Sequence, residues 1–423
     1  MLDIRFIREH PDEVRRAIEL KEVELDLDQL LAADQQRREL QGRVDELNAE
    51  RKKNADETRR AAADERRQWI DRGRALGEQV AAAEQALRDT EARLNDLMLL
   101  VPNIPDPNAP IGGENAAVEV RRWGEQPSFE FAPKDQVELL ETNGWAEFER
   151  PSRVAGSRNF MLKGAAALLE MALWRFALDR LVAQGFQPIT VPSLAREFAF
   201  TGTGIFPTGR DQIYYLPEDD LYLSGTAEVV ANSLHSGEIL SAEQLPIRYA
   251  AFSPCFRRES GSAGRDVRGL IRVHQFTKVE QYVLCRADIE ESHRWFETIL
   301  GNAEAILQAL EIPYRIVMTA TADMGTGKVR MWDIESWVPS EGKYRETHSC
   351  SELHDWQARR ADLRYREASG ERPRFAFTLN NTALATPRIL VPLLENHQLP
   401  DGDVALPAAL RPYLNGAETL RRA

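Results

Sequence analysis

Two heptad seams in the first hundred residues constrain this chain most, because they do not share a phase. Leu30, Ala33, Arg37, Leu40, Val44 and Leu47 follow a 3-4-3-4-3 spacing. Leu76, Val80, Ala83, Leu87, Thr90, Leu94, Leu97 and Val101 follow 4-3-4-3-4-3-4. Both are a/d seams of a coiled coil. Leu47 and Leu76 hold equivalent positions but stand 29 residues apart, one more than four heptads. A single continuous helix would turn its seam away from itself there. Reversal between about Asn54 and Ile70 removes the conflict and predicts two antiparallel helices. Each would be about 30 residues and roughly 45 Å long.

The tip of this arm is basic. Residues 51–67 carry seven arginines and lysines against four acidic residues, locally +3 in a chain of net charge −13. Such a tip can engage phosphates, with Arg51, Lys52, Lys53, Arg59 and Arg60 as candidates. The segment alone leaves open a dimerisation coil with an ordinary solvated surface. The overall charge excludes a general polybasic nucleic-acid binder. No run approaches the ~18 apolar residues of a membrane span, and the charged N-terminus has no apolar core of signal-peptide length. Three cysteines without a CxxC pair argue against a disulfide framework or a cysteine zinc cage. A reducing cytoplasm and no membrane partner are therefore expected.

At 423 residues the chain is long enough for two or three domains. Pro102, Pro105, Pro107, Pro110 and Gly112-Gly113 close the helical part, since proline cannot continue a helix. The expected division is an arm at 1–101, a linker at 102–115 and a second domain at 116–423. Beyond the linker, an apolar-faced helix spans Ala165 to Ala183, ends at Gly185 and leads to a strand from Phe186 to Val191. A hairpin is expected from Gln212–Leu216 and Leu221–Leu223. Further strands are expected at Ile247–Phe252, Ile271–Val283, Tyr314–Met318 and Asp333–Val338. Hairpins with intervening helices indicate an α+β fold.

Gly325-Thr326-Gly327-Lys328 hints at a phosphate loop, but Ala322 and Val329 stand where that motif needs glycine and a hydroxyl. The strongest segment runs from Phe256 to Phe276, where a Gly-rich charged loop separates two strands. Period-two alternation sets Arg272, His274, Phe276, Lys278 and Glu280 on one face, with Val273, Val279 and Val283 on the other. Cation, ring and carboxylate would suit a triphosphate, a purine and an amino group. A sheet face with cross-strand charge pairs is the plainer alternative.

That segment resembles motif 2 of class II aminoacyl-tRNA synthetases, and specifically of seryl-tRNA synthetases. The likeness extends over nearly the whole chain: the arm, the proline-rich linker, Gly202-Thr203-Gly204, Thr226-Ala227-Glu228, Gln357-Ala358-Arg359-Arg360, and Thr378-Leu379-Asn380 leading to Arg388 and Leu394-Glu395-Asn396. Motif 1 falls at about 165–192, motif 2 at 248–283 and motif 3 at 378–396. The resemblance implies an antiparallel sheet flanked by helices in the second domain. It also implies a homodimer, and ligation of serine to serine tRNA (and selenocysteine tRNA where present) with ATP and Mg²⁺ but no zinc. A specialised or inhibitor-resistant copy, or a non-catalytic tRNA-binding relative, are the alternatives. In the family the arm reaches the long variable arm of serine tRNA.

The resemblance also implies roles. Arg257 would grip the α-phosphate and the serine carboxylate, Glu259 the adenine amino group, and Phe276 and Arg388 the two faces of adenine. Arg272 would clamp the γ-phosphate, so that Arg257, Arg272 and Arg388 carry the catalysis. Arg258, Val273, Thr347 and His348 join the ATP site, and Glu346 and Ser349 would hold the metal. Glu280 would bind the serine ammonium, in a pocket shared with Thr226, Ala227, Glu228 and Asn380. Thr382 would meet the serine side chain. Opposite strand parity for Glu346 and Ser349 requires a bulge or a strand end between them. Motif 3 departs from the family pattern where Asn381 and Ala383 replace glycines expected beside the substrate. The Ala383 methyl is expected to narrow the pocket against threonine.

Overall fold

Two long helices account for the out-of-phase seams. In the computed structural model, which describes residues 1–261, 264, 266 and 268–422, α1 spans Leu27–Arg60 and α2 spans Arg66–Leu100. The reversal falls at 61–65, inside the expected window. The 34 residues of α1 reach about 51 Å at the α-helical rise. Leu30, Ala33, Val44 and Leu47 are buried with Leu76, Val80, Leu87, Thr90 and Leu94, as the seams require. Arg37, Leu40 and Leu97 are only half-buried, and Met98 is buried beside Leu97. At the turn, the buried Asn54 amide donates to the Trp69 carbonyl at 2.9 Å, fastening the two helix ends together.

The chain divides into two units, Leu2–Pro102 and Asn103–Ala423. The stretch expected to be a linker is stitched into the larger unit. Asn103 N–H donates to Thr326 O and Asp106 N–H to Val329 O, both at 2.8 Å, while Pro110 and Gly112 carbonyls accept from Thr321 and Ala322. Proline ends the helix here without leaving free chain. Among the described residues, no helix is long and apolar enough to cross a membrane.

The larger unit is built on one eight-stranded sheet. Its strands are β1 Val118–Trp123, β2 Gln187–Thr190, β3 Ile247–Phe256, β4 Gln275–Cys285, β5 Tyr314–Met318, β6 Arg330–Val338, β7 Lys343–His354 and β8 Phe377–Thr386. They lie in the order β1-β5-β6-β7-β8-β4-β3-β2. Every pairing is antiparallel except that of the edge strand β2 with β3. Helices α3 (Ala165–Ala183) and α4 (Ile289–Ala309) pack on one face. Leu169, Leu173, Phe176, Phe296 and Leu300 there meet Val279, Val283, Leu379, Ala383 and Leu384 in the main core. The opposite face carries polar residues.

The second strand of the charged hairpin starts at Gln275, four residues later than expected. The reason is tertiary: the Ile271 carbonyl accepts from Arg388 Nε at 3.2 Å and the Arg272 carbonyl from Arg158 Nη1 at 3.5 Å, so neither serves a ladder. Alternation therefore orders Phe276, Lys278 and Glu280 but does not govern Arg272, Val273 or His274. Ser262, Ala263, Arg265 and Val267 of the loop lie outside the described residues. In the Gly202-Thr203-Gly204 segment, Gly204 has φ +85° and packs against the Trp356 ring, where a Cβ would collide.

Candidate active site

The polar face of the sheet opens into a cleft. Motif 2 supplies its floor. Strands β3 and β4 pair with Phe276 opposite Cys255, and the chain leaves β3 directly into Arg257. The Arg257 backbone is pinned from both sides. Its N–H donates to the His274 carbonyl at 2.9 Å, and its carbonyl meets His274 Nδ1 at 3.0 Å. His274 thus supports the hairpin. The Arg257 guanidinium lies 5.1 Å from the Phe276 ring centroid and donates from Nε and Nη2 to Gly225 O, both at 3.4 Å.

One end of the cleft is a buried charge cluster. Glu280 is buried and its carboxylate meets Lys278 Nζ at 2.5 Å. Burial pushes the Glu280 carboxyl up in pKa, while the Lys278 ammonium opposes that shift. Thr382 Oγ1 donates to Glu280 at 3.4 Å. Glu228 is held by two amides, accepting from Gln357 Nε2 at 2.7 Å and Asn380 Nδ2 at 2.9 Å. Gln357 is itself fixed by Thr378 Oγ1 at 2.8 Å. Thr226 Oγ1 accepts from the Glu228 N–H at 3.3 Å. Two carboxylates against one lysine leave this end an excess negative charge, suited to a small ammonium group.

The other end is arginine-rich. Arg272 Nη1 donates to Glu259 Oε2 at 2.6 Å, and Asp266 links Arg272 (3.9 Å) to Arg345. Arg388 Nη1 stands 3.8 Å from the Glu346 carboxylate and donates to the Glu346 carbonyl at 3.3 Å. A register shift occurs where the expected bulge should be: Glu346 pairs with Glu335 and His348 with Ile334, leaving Thr347 extra. Glu346, Thr347 and Ser349 consequently all line the cleft. Behind them, burial and the nearby Glu346 charge push Asp333 up to about 8.

The cleft gathers Thr226, Glu228, Arg257, Glu259, Arg272, Val273, Phe276, Glu280, Glu346, Thr347, Ser349, Asn380, Thr382 and Arg388. Ala227, Arg258 and His348 are not among its lining residues. The Arg258 guanidinium instead lies 5.7 Å from the Tyr214 ring centroid. His348 is fully buried, which lowers its pKa to about 4. The motif 3 substitutions also fall elsewhere than expected. Asn380 and Thr382 face the cleft, so alternation turns their neighbours away. Asn381 accepts from Gln281 Nε2 at 2.6 Å, and Ala383 sits fully buried in the main core. The Ala383 methyl therefore does not narrow the cleft.

Two lining lysines escaped the sequence reading as functional residues. Lys278 stood on the right face by alternation. Lys328 belongs to the rejected phosphate-loop look-alike, yet it reaches the cleft. At the arm tip, Arg51, Lys52, Lys53, Arg59 and Arg60 are all exposed, Arg59 paired with Asp56 at 2.6 Å. Lys53 and Arg60 share a hollow with Trp69 and Arg72, an aromatic and a cation that the spacing did not mark.

Comparison with known proteins agrees along the full chain. Residues 215–397 match the family model for the tRNA synthetase class II core domain (G, H, P, S and T), and residues 1–105 that for the seryl-tRNA synthetase N-terminal domain. A serine–tRNA ligase of Deinococcus radiodurans is 58% identical over 421 residues, covering 99% of each chain. One from Thermobifida fusca is 42% identical, covering 98% of this chain and 97% of its own. Among solved structures, the seryl-tRNA synthetase from Pyrococcus horikoshii complexed with ATP superposes with a TM-score of 0.93 at 38% identity, covering 100% of both chains. The cytoplasmic serine–tRNA ligase from Naegleria fowleri in complex with AMP gives 0.88 at 27% identity, covering 100% of this chain and 99% of its own.

Proposed function

The chain belongs to the seryl-tRNA synthetase family of class II enzymes, and from that premise we propose how its residues divide the ligation of serine to tRNA. The activity is that of a serine–tRNA ligase: L-serine and ATP give seryl-adenylate and pyrophosphate, and a terminal ribose hydroxyl of the tRNA then attacks the seryl carbonyl carbon, forming the ester and releasing AMP. The observation that carries the residue assignment is the grouping of three arginines, an aromatic ring and a buried carboxylate in one cleft.

The serine carboxylate is already an anionic nucleophile, so attack on the α-phosphorus needs no side-chain base. Charge builds on phosphate oxygens as the bond to pyrophosphate breaks. Arg257 is assigned to the α-phosphate and Arg272 to the γ-phosphate, where fixed cations stabilise the transition state. Phe276 and Arg388 bracket adenine, and Glu259 accepts from its amino group. Glu280 and Glu228 receive the serine ammonium, Thr226 and Asn380 shape that pocket, and Thr382 meets the hydroxyl. Glu346 and Ser349 offer hard oxygen donors on the cleft wall, which suits Mg²⁺. When bound, that ion supplies charge neutralisation along the triphosphate.

The basic arm tip is assigned to the phosphates of serine tRNA. Neutralising Arg51, Lys52, Lys53, Arg59 and Arg60 together is expected to leave serine-dependent ATP–pyrophosphate exchange intact and to weaken tRNA charging. The salt dependence of tRNA binding should flatten by roughly 0.7–0.9 log unit for each phosphate that is no longer neutralised. An unchanged salt slope would remove the tip from the interface, and absent serine-dependent exchange in the parent chain would overturn the residue assignment as a whole.

A homodimer is proposed through α3. Leu168 and Met171, 60% and 56% exposed, lie one turn apart and share a face with the exposed Val182, while the opposite face is buried in the core. An apolar stripe of this kind on a helix marks a protein interface. The double substitution Leu168→Glu and Met171→Glu is expected to convert a dimer to a monomer in sedimentation velocity. A dimer that survives it would place the interface elsewhere. The three cysteines are free and buried, which supports a reducing cytoplasm as the compartment.

A further inference from the structure

Three side chains that the ligation chemistry does not use converge where β7 ends. Glu352 and His354 come from the strand and His293 from the N-terminal part of α4, and their ligand atoms all lie within 4.8 Å of one another. His354 Nε2 is 3.4 Å from Glu352 Oε1, and His293 Nε2 is 3.8 Å from Glu352 Oε2. Glu352 is 0% exposed, and Ser292, His354 and Arg330 surround its carboxylate without a well-aligned hydrogen bond to either oxygen among the described residues. A buried carboxylate is costly unless cations or donors compensate it. Arg330 makes a long ion pair with Glu352 at 3.8 Å while its guanidinium donates to Asp106 at 2.8 and 3.3 Å, so Glu352 is only partly compensated.

The histidines are arranged to accept a metal. Arg330 Nη2 lies 3.3 Å from His293 Nε2. A guanidinium can only donate, so in this contact His293 Nε2 is the acceptor, through the lone pair that a metal would use. A register shift between Glu352 and His354 accompanies a left-handed backbone at His354, with φ +48°. Residues with a side chain hold that region at a cost and do so at functional positions. The His354 ring is then fixed by stacking on Phe377, centroids 4.7 Å apart and planes 22° apart.

We propose that His293, Glu352 and His354 form a site for one divalent transition-metal ion of the zinc type, clipping β7 to α4. Two imidazoles and one carboxylate favour zinc over magnesium or calcium, which prefer all-oxygen shells. Tetrahedral zinc with ligands at about 2.0–2.1 Å separates its donors by roughly 3.3 Å, so the observed spacings of 3.4 and 3.8 Å to Glu352, all within 4.8 Å, must close on binding by up to about 1.5 Å. Arg330 releases His293 on binding and keeps Asp106. The fourth position falls to water, reached from the side where His293 is 42% exposed. This site is separate from the Mg²⁺ position assigned to Glu346 and Ser349, and none of its three residues lines the cleft.

The test uses the full chain stripped with a chelator, incubated with zinc chloride without ATP, gel-filtered and assayed for metal content. One equivalent of retained zinc per chain is expected, with a rise in Tm. The variant combining His293→Gln and His354→Gln should lose that equivalent. His293→Gln alone, a change at a half-exposed side chain, should weaken binding at least ~10–100-fold, the range reached even by substitutions behind the ligands. Serine-dependent exchange by the same variants reports that they are folded. No retained zinc in the parent chain overturns the proposal. So does equal affinity in the parent and His293→Gln, which would place the ion at other donors.

Discussion

Replacing Arg257 by alanine is expected to lower serine-dependent ATP–pyrophosphate exchange by at least ~10²–10³-fold, the cost of removing one preorganised donor from a site where transition-state charge develops. The loss should fall on kcat more than on the KM for ATP, because Arg272, Arg388 and Phe276 remain to bind the nucleotide. The fold should survive. Arg257 itself makes two 3.4 Å approaches to the Gly225 carbonyl and covers the face of Phe276, none of which closes a core. Thermal unfolding of the variant should therefore stay close to that of the parent. Arg257→Lys keeps the charge but not the planar fork, and should recover only part of the rate. Near-normal exchange by the alanine variant would show that the α-phosphate is gripped by another group, with Lys328 a candidate on the cleft wall.

How much of this could be read from the sequence depended on whether the governing interaction was local. The arm was legible because heptad phase is local information, and the extra residue between Leu47 and Leu76 forces the turn. Given the roles that the resemblance implied for Glu346 and Ser349, their opposite parity called for a bulge or a strand end between them, and the register shift there is the bulge. Alternation also carried Phe276, Lys278 and Glu280 to one surface. It failed at Arg272 and Val273, which both line the cleft, because the strand starts only after Arg388 has taken the Ile271 carbonyl. That hydrogen bond spans 117 residues, and no periodicity reports it. The same limit hid Lys328, the clamp of Gln357 on Glu228, and the meeting of His293 with Glu352. Asn381 and Ala383 are a different kind of miss. Once Asn380 and Thr382 face the cleft, period two already sends their neighbours into the core.

That placement bears directly on the choice of amino acid. With the Ala383 methyl in the core, the proposed serine pocket falls to Thr226, Glu228, Lys278, Glu280, Asn380 and Thr382, which all line the cleft. Glycine and alanine are smaller than serine and enter freely. They are rejected because they leave the Thr382 hydroxyl, whose own hydrogen bond to Glu280 is long at 3.4 Å, without a close partner. A site built around a substrate hydroxyl can reject an analogue lacking it by roughly 10⁴-fold. Threonine keeps the hydroxyl and adds a methyl, so overpacking against this polar wall must exclude it, at about 1–3 kcal/mol or roughly 10–200-fold. Among the described lining residues there is no cysteine or histidine to recognise threonine by a shared metal. The expected order of kcat/KM in pyrophosphate exchange at saturating ATP is serine far above threonine, with alanine and glycine barely detectable. Thr382→Ala should then cut serine activation sharply and leave alanine almost unchanged, collapsing the ratio between them. If alanine matches serine in the parent chain, hydroxyl recognition by Thr382 is wrong; if only threonine does, the pocket is wider than its lining residues require.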